Sequence, residues 1–126
     1  MKILLVNYDN DSFTCFFPQG LAAVAAVLLD EGYEVRVWDQ DINHYPDQRL
    51  KQFLDSNHFD VIGISLIAGY WQYKKLMALS KEINASRNRP GLFIIGGYGP
   101  TPEPEFFLRK MECDIVALGE GEITAV

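Results

Sequence analysis

The sequence has 126 residues, enough for one domain with a real core and too few for two of ordinary size. Apolar residues make up 48% and aromatics 13%, a composition that packs rather than stays disordered. Eleven Lys and Arg against seventeen Asp and Glu leave a net charge of −6, which argues against a nucleic-acid or anionic-membrane binder working through bulk charge.

Ile3-Leu4-Leu5-Val6 is a continuous apolar run, the pattern of a strand buried on both faces. Leu21, Val24, Ala25, Leu28 and Leu29 then form a helical stripe, with Pro18 suited to its first turn and Gly32 to its C-terminal left-handed position. Val35, Val37 and Trp38 predict a second strand, and Leu50, Phe53 and Leu54 a helix from Asp47 to about Ser56. Phe59 to Ile67 (FDVIGISLI) reads as a third strand, and Leu76, Leu79 and Ile83 mark a helix over Tyr70 to Ala85. Leu92-Phe93-Ile94-Ile95 is the fourth strand. Thr101 is the expected N-cap of a short helix, with Pro102 behind it and Phe107 and Leu108 inside it. Ile115-Val116-Ala117-Leu118 is the fifth strand, and an apolar-patterned segment begins at Gly119-Glu120-Gly121, giving the impression of a piece of something longer.

Strand–helix alternation with buried strands predicts an α/β fold: a doubly wound, five-stranded parallel sheet of order 2-1-3-4-5, Rossmann-like or flavodoxin-like. In such a sheet ligands lie beyond the carboxyl ends of the strands, at the switch point between the first and third. That rule selects Asn7 to Phe17, Ser65 to Trp71 and Gly96 to Thr101. The first loop is longer than the roughly two to six residues usual in βα connections. Ser65 offers a hydroxyl at a strand end, near Gly69, while Gly96-Gly97 permit close backbone approach. Three small-residue openings in neighbouring loops describe a slot rather than a phosphate cradle.

Several sites are excluded by the residues themselves. The first loop has no glycine before Gly20, so a dinucleotide fingerprint and a P-loop are both absent. The third strand ends in Ser65-Leu66-Ile67, without the aspartate of a response regulator. Asn7 to Thr14 (NYDNDSFT) resembles the opening of glutamine amidotransferase subunits. Neither Cys15 nor Cys113 has the glycine-flanked strand-to-helix context of that family's nucleophile. The cysteines form no CxxC pair, so a reduced, cytoplasmic setting is expected. No apolar run reaches the ~20 residues of a membrane span, and Met1-Lys2 opens no signal peptide. His44 and His58 are not spaced as a metal pair and read as surface residues. Lys74, Lys75, Lys81 and Arg87 read as a solvated face. Asp9, Asp11, Glu103, Glu120 and Glu122 match no hydrolase pattern, and no catalytic constellation is complete.

The ordered set KILLVN, Phe17-Pro18-Gln19-Gly20-Leu21, EGYEVRVWD, FDVIGIS, IIGGYGPTPEP and DIVALGEGE resembles the N-terminal B12-binding domain of cobalamin-dependent radical SAM enzymes, over essentially the whole chain. The resemblance implies a cobalamin-binding module, followed in its parent by a radical SAM barrel that carries S-adenosylmethionine and a 4Fe-4S cluster. The barrel's CxxxCxxC motif is not in these residues, so the chain is expected to be truncated before it. The implied partners are cobalamin and that C-terminal domain, with no nucleic acid and no membrane.

By this resemblance Ser65 would hydrogen-bond the dimethylbenzimidazole end of the nucleotide tail, beside Leu66 and Gly69. Gly96 and Gly97, with Tyr98, would let the tail pass bare backbone, and Gly119 and Glu120 would close the slot. Tyr8, Phe13 and Phe16 would cover the lower face of the corrin. Related methyl-carrier domains place a cobalt-ligating histidine in the loop after the first strand, and this loop has none. The expectation is therefore a base-off, His-off cobalamin, with no metal ligand and no catalytic residue from this chain. The parent would be a methyltransferase or related enzyme. A docking module that binds no corrinoid is the alternative, and a flavin or nucleotide binder is the least supported reading.

Overall fold

In the computed structural model, which describes every residue except Phe16, Ala68, Glu120 and Val126, strand and helix alternate along the chain. The elements are β1 (Lys2–Asn7), α1 (Gln19–Asp30), β2 (Glu34–Asp39), α2 (Gln40–Asn43), α3 (Gln48–Ser56), β3 (Val61–Ser65), α4 (Tyr70–Ala85), β4 (Leu92–Gly96), α5 (Pro104–Met111), β5 (Ile115–Val116) and α6 (Gly121–Thr124). All strands pair in parallel, in the order β2-β1-β3-β4-β5. This is the doubly wound order expected from the alternation.

The central strands are buried on both faces because each face has its own helical cover. Leu4, Val6, Ile62, Ile64, Phe93 and Ile95 point toward α3, α4 and α5, where Leu50, Leu54, Leu76, Leu79 and Ile83 meet them. Ile3, Leu5 and Val61 point the other way, onto Leu21, Ala25 and Leu28 of α1. Period two along a strand and period 3.6 along a helix thus sort the same apolar residues into two cores. α1 stops where expected: Gly32 has φ +88, its N–H bonds Leu29, and Tyr33 N–H bonds Leu28, the paired bonds of a Schellman ending.

Several boundaries differ from the sequence reading. Pro18 sits at the N-cap of α1 rather than inside its first turn. β3 is shorter than Phe59 to Ile67: Phe59 is an anchor in the core before the strand, and the pairing turns away after Leu66, whose carbonyl accepts from Gly99 N–H. β5, at the edge of the sheet beside β4, is two residues long rather than the four of Ile115 to Leu118. Thr101 does not cap α5, since its hydroxyl donates to Gly97 O at 2.9 Å; Glu103 takes the N-cap position, ahead of Pro104. Lys75 is not on a solvated face: its ammonium lies 3.0 Å from Asp47 Oδ1 and 5.6 Å from the Trp71 ring centroid. α2 was not foreseen at all. Its four residues follow Asp39, whose carboxylate accepts from Ile42 N–H and caps the turn.

One surface cluster ties α3 to the end of α4. The Asp55 carboxylate accepts from Ser86 Oγ at 2.7 Å, Arg87 N–H at 3.0 Å and Lys51 Nζ at 3.0 Å. These donors, the Ser86 hydroxyl foremost and then Lys51, hold its carboxyl below the ordinary value of 3.8. A lowered folded-state value stabilises the fold above the ordinary carboxylate range, and that contribution is lost as pH falls through the lowered value. Urea midpoints followed from neutral into acid pH should therefore drop more steeply for the native chain than for Asp55→Asn.

Candidate functional site

The carboxyl ends of β3 and β4 carry the smallest side chains of the sheet. Register places Ser65 beside Gly96 and Gly63 beside Ile94, on the face that α1 covers. Large residues alternate away from this lane, because Ile62, Ile64 and Ile95 fill the opposite core. Ser65 is half-buried, and its hydroxyl makes no hydrogen bond among the described residues. A Cβ on Gly96 would meet only the Cβ and O of Ala117, at 3.7 and 3.9 Å. On the same face Leu92 and Ile115 remain 41% exposed. The lane is thus small and open beside Gly96, closed at its Gly63 end by Leu5 Cδ2, which a Cβ there would meet at 3.2 Å, and provided with one hydroxyl without a partner among the described residues.

Gly97 does different work. It has φ +97, and a Cβ there would collide with the carbonyl oxygen of Leu66 and crowd Ser65 Oγ. Gly99 would likewise collide with Ile67 O. Bare backbone at these two positions lets the turn after β4 lie against the chain leaving β3, sealed by Leu66 N–H to Gly96 O at 2.9 Å and Gly99 N–H to Leu66 O at 3.1 Å. Leu66 is buried in the core, on the face opposite the lane. Tyr98 is exposed at the tip of the turn. Gly69, with φ +126, is the N-cap residue of α4. Gly119, with φ +76, has open space where a Cβ would stand. Glu120 and Phe16 lie outside the described residues.

Tyr8 is buried in the core, 4% exposed. Burial pushes its phenol up; a hydrogen bond with the Ile67 backbone opposes this, and the Asp41 charge adds to it. Tyr8 therefore braces the end of β1 against the end of β3 from below. Phe13 is fully exposed, and Phe17, Tyr70, Trp71 and Ile67 add apolar surface around the same edge.

The loop after β1 is clasped by the segment after β2. Asp41, 1% exposed, accepts Asn10 N–H on Oδ1 at 2.9 Å, while its buried Oδ2 has no partner among the described residues. The Cys15 thiol points to Asp41 O at 3.5 Å. Asp9 receives Asp11 N–H on Oδ1 at 2.8 Å, and its Oδ2 lies 3.1 Å from His44 Nδ1. His44 is exposed, as its sequence context implies, and the fold brings it against the first loop. Gly63 was legible in FDVIGIS as the next same-face position before Ser65. The Asp9–His44 pair was not, because the partners are 35 residues apart. His58 pairs with Asp60, at the opposite end of the sheet from the lane.

A groove of about 600 Å³ lies between α1 and the edge strand β2, lined by Phe17, Leu21, Ala25, Leu29 and Val37. It is almost wholly apolar and offers little to orient a ligand. Among the described residues no three His, Cys, Asp or Glu side chains gather as a metal cage. Burial pushes the Cys113 thiol up, away from thiolate chemistry. No helix among the described residues is long and apolar enough to cross a membrane.

Comparison with known proteins bears on the fold and family of the chain. The chain is 30% identical to cytidylyl-2-hydroxyethylphosphonate methyltransferase from Streptomyces wedmorensis, in a match covering 98% of the chain and 27% of that enzyme. The fold superposes on the radical S-adenosylmethionine methyltransferase TsrM from Kitasatospora setae with tryptophan and a SAM analogue bound: TM-score 0.76, 18% identity, 97% of this chain and 24% of that one. It also superposes on a cobalamin-binding protein from Desulfitobacterium hafniense DCB-2: TM-score 0.74, 17% identity, 98% and 55%. The chain therefore spans about a quarter of the length of the methyltransferases it matches. The B12 binding domain profile matches residues 8–126, nearly the whole sequence. With its parallel sheet and small-residue strand ends, this chain belongs to the B12-binding domain family.

Proposed function

We propose that the chain holds cobalamin at the carboxyl ends of β1, β3 and β4, with the nucleotide tail laid into the Gly63–Ser65–Gly96 lane. The observation that carries this reading is the lane itself: a free hydroxyl beside the bare backbone of Gly96, on a partly open face, inside a B12-binding match that spans it. The residues fit the group. A flat heterocyclic tail needs absent side chains along its length, and Ser65 offers a hydrogen bond at the strand end. Leu66 and Tyr8 support the floor from within the core, while Gly97 and Gly69 shape the turns beside it. The exposed Phe13, Phe17, Tyr70, Trp71 and Tyr98 form an apolar rim suited to a corrin face and to a second domain above it.

When bound, cobalamin supplies a cobalt centre able to carry a methyl group. The chain's own part is to bind, orient and shield it. Because the matched methyltransferases are about four times as long, we read the chain as one module of a B12-dependent radical SAM methyltransferase. In that parent, S-adenosylmethionine and a 4Fe-4S cluster would belong to a following barrel, and the two free cysteines suit a cytoplasmic setting. The docking-module alternative is not favoured, since it leaves the lane and its hydroxyl without a purpose. Mixing the purified chain with hydroxocobalamin, desalting it and recording the visible spectrum tests the reading. Retained corrinoid absorbance at about one equivalent is expected; a colourless protein would overturn it.

A further inference from the structure

We propose that the chain pairs with a second copy of itself along β2, antiparallel and about a two-fold axis, so that two five-stranded sheets become one. Among the described residues β2 is paired with β1 alone. Glu34 N–H crosses to Met1 O on the β1 side, and parallel pairing alternates, so the N–H and C=O groups of Val35 and Val37 point outward. An edge of this kind, six residues long, is a template for another strand. Beside it runs the apolar groove under α1, where Phe17, Leu29, Val37 and Ile42 are all exposed. An open ladder next to an apolar wall suits a polypeptide better than a small ligand.

Charge selects the partner and the register. A two-fold axis normal to the sheet keeps α1 and its copy on one side, so only residues of the same face stand opposite each other. Val35 and Val37 face α1, whereas Arg36 and Trp38 face Phe53 on the other side, as does Glu34 by alternation. An axis through Arg36 would set two guanidinium groups opposite each other. An axis through Val37 would set Asp39 against the partner's Val35 on the apolar face. An axis through Val35 sets Glu34 against the partner's Arg36 on both sides of the centre, and Val37 against the partner's Tyr33. In that register Val35 meets its own copy as a hydrogen-bonded pair, and Glu34 and Arg36 fall at the closer, non-bonded positions. Glu34 Oε1 is already 3.6 Å from Lys2 Nζ of β1, so a cation flanks it on each side. Antiparallel pairing puts the carboxyl ends of the two sheets at opposite rims, and neither copy covers the other's lane.

Sedimentation equilibrium of the whole chain at micromolar concentrations tests this, and dimers are expected. Arg36→Glu sets carboxylates against each other, and Glu34→Arg sets guanidinium groups against each other. Each single reversal should weaken association roughly tenfold or more, because like charges directly opposite destabilise paired strands. Glu34→Arg combined with Arg36→Glu restores opposite charges and should restore the dimer, which a contact through the aromatic rim would not do. Both side chains are exposed, so circular dichroism should be unchanged in every variant. A chain that stays monomeric at all concentrations would overturn the proposal and leave β2 to a different polypeptide. A dimer indifferent to both single reversals, or one that the double exchange fails to restore, would overturn it as well.

Discussion

Gly96→Leu should abolish retention of hydroxocobalamin while the sheet stays folded. A Cβ at Gly96 meets Ala117 only at ordinary contact distance, so the protein itself has room for the first atom of a side chain. The remaining atoms would enter the lane beside Ser65, where the tail is assigned. Overfilling a packed site costs about 1–3 kcal/mol, which corresponds to roughly a ten- to hundredfold loss of affinity. The control is Gly97→Ala. There φ is +97 and the added methyl would collide with Leu66 O, so the fold itself should suffer by about 1–2 kcal/mol or more. Urea midpoints and corrinoid absorbance, measured on both variants, separate the two roles. Full retention by folded Gly96→Leu would place the tail outside the lane.

The largest loss of stability is expected from Phe93→Ala. Phe93 lies in β4 between β3 and β5, with its ring wholly inside the core against α4 and α5. Its backbone is held on both sides by Asp114, whose carboxylate accepts Phe93 N–H at 2.7 Å and whose N–H bonds Phe93 O at 2.8 Å. The backbone would thus keep its place and leave the space of the ring unfilled. Truncating a buried phenylalanine costs about 3–5 kcal/mol. Domains of this kind have a total of roughly 5–15 kcal/mol, so the midpoint should fall by a third or more. A shift within error of the native chain would mean that α4 and α5 do not pack on β4 as described.

Much of this architecture is legible along the chain. The run Ile3 to Val6, the stripe Leu21 to Leu29 and the stripe Leu76 to Ile83 are local patterns, and each forms the element its period predicts. Gly32 ends α1 because only its left-handed φ completes the turn. Boundaries were less legible. Thr101 has the sequence profile of a cap, yet its hydroxyl is taken by Gly97 O, a contact that exists only once the turn after β4 is folded. Lys75 reads as solvated until Asp47, 28 residues earlier, lies beside it.

The site divides along the same line. Strand order and the carboxyl edge follow from alternation and the handedness of crossovers, both of which operate over short stretches of chain. What the glycines do depends on tertiary structure. Gly96 opens a lane because its neighbour across the sheet is Ser65, whereas Gly97 serves the close approach of Leu66. The sequence shows no histidine in the loop after β1, and that remains true. His44, from the turn after β2, comes against Asp9 of that loop because parallel pairing of β1 and β2 brings both connections to one edge. Local periodicity encodes which elements form and how they stack. Side chains far apart in sequence meet only through the backbone angles of the loops between them, and no periodicity records those.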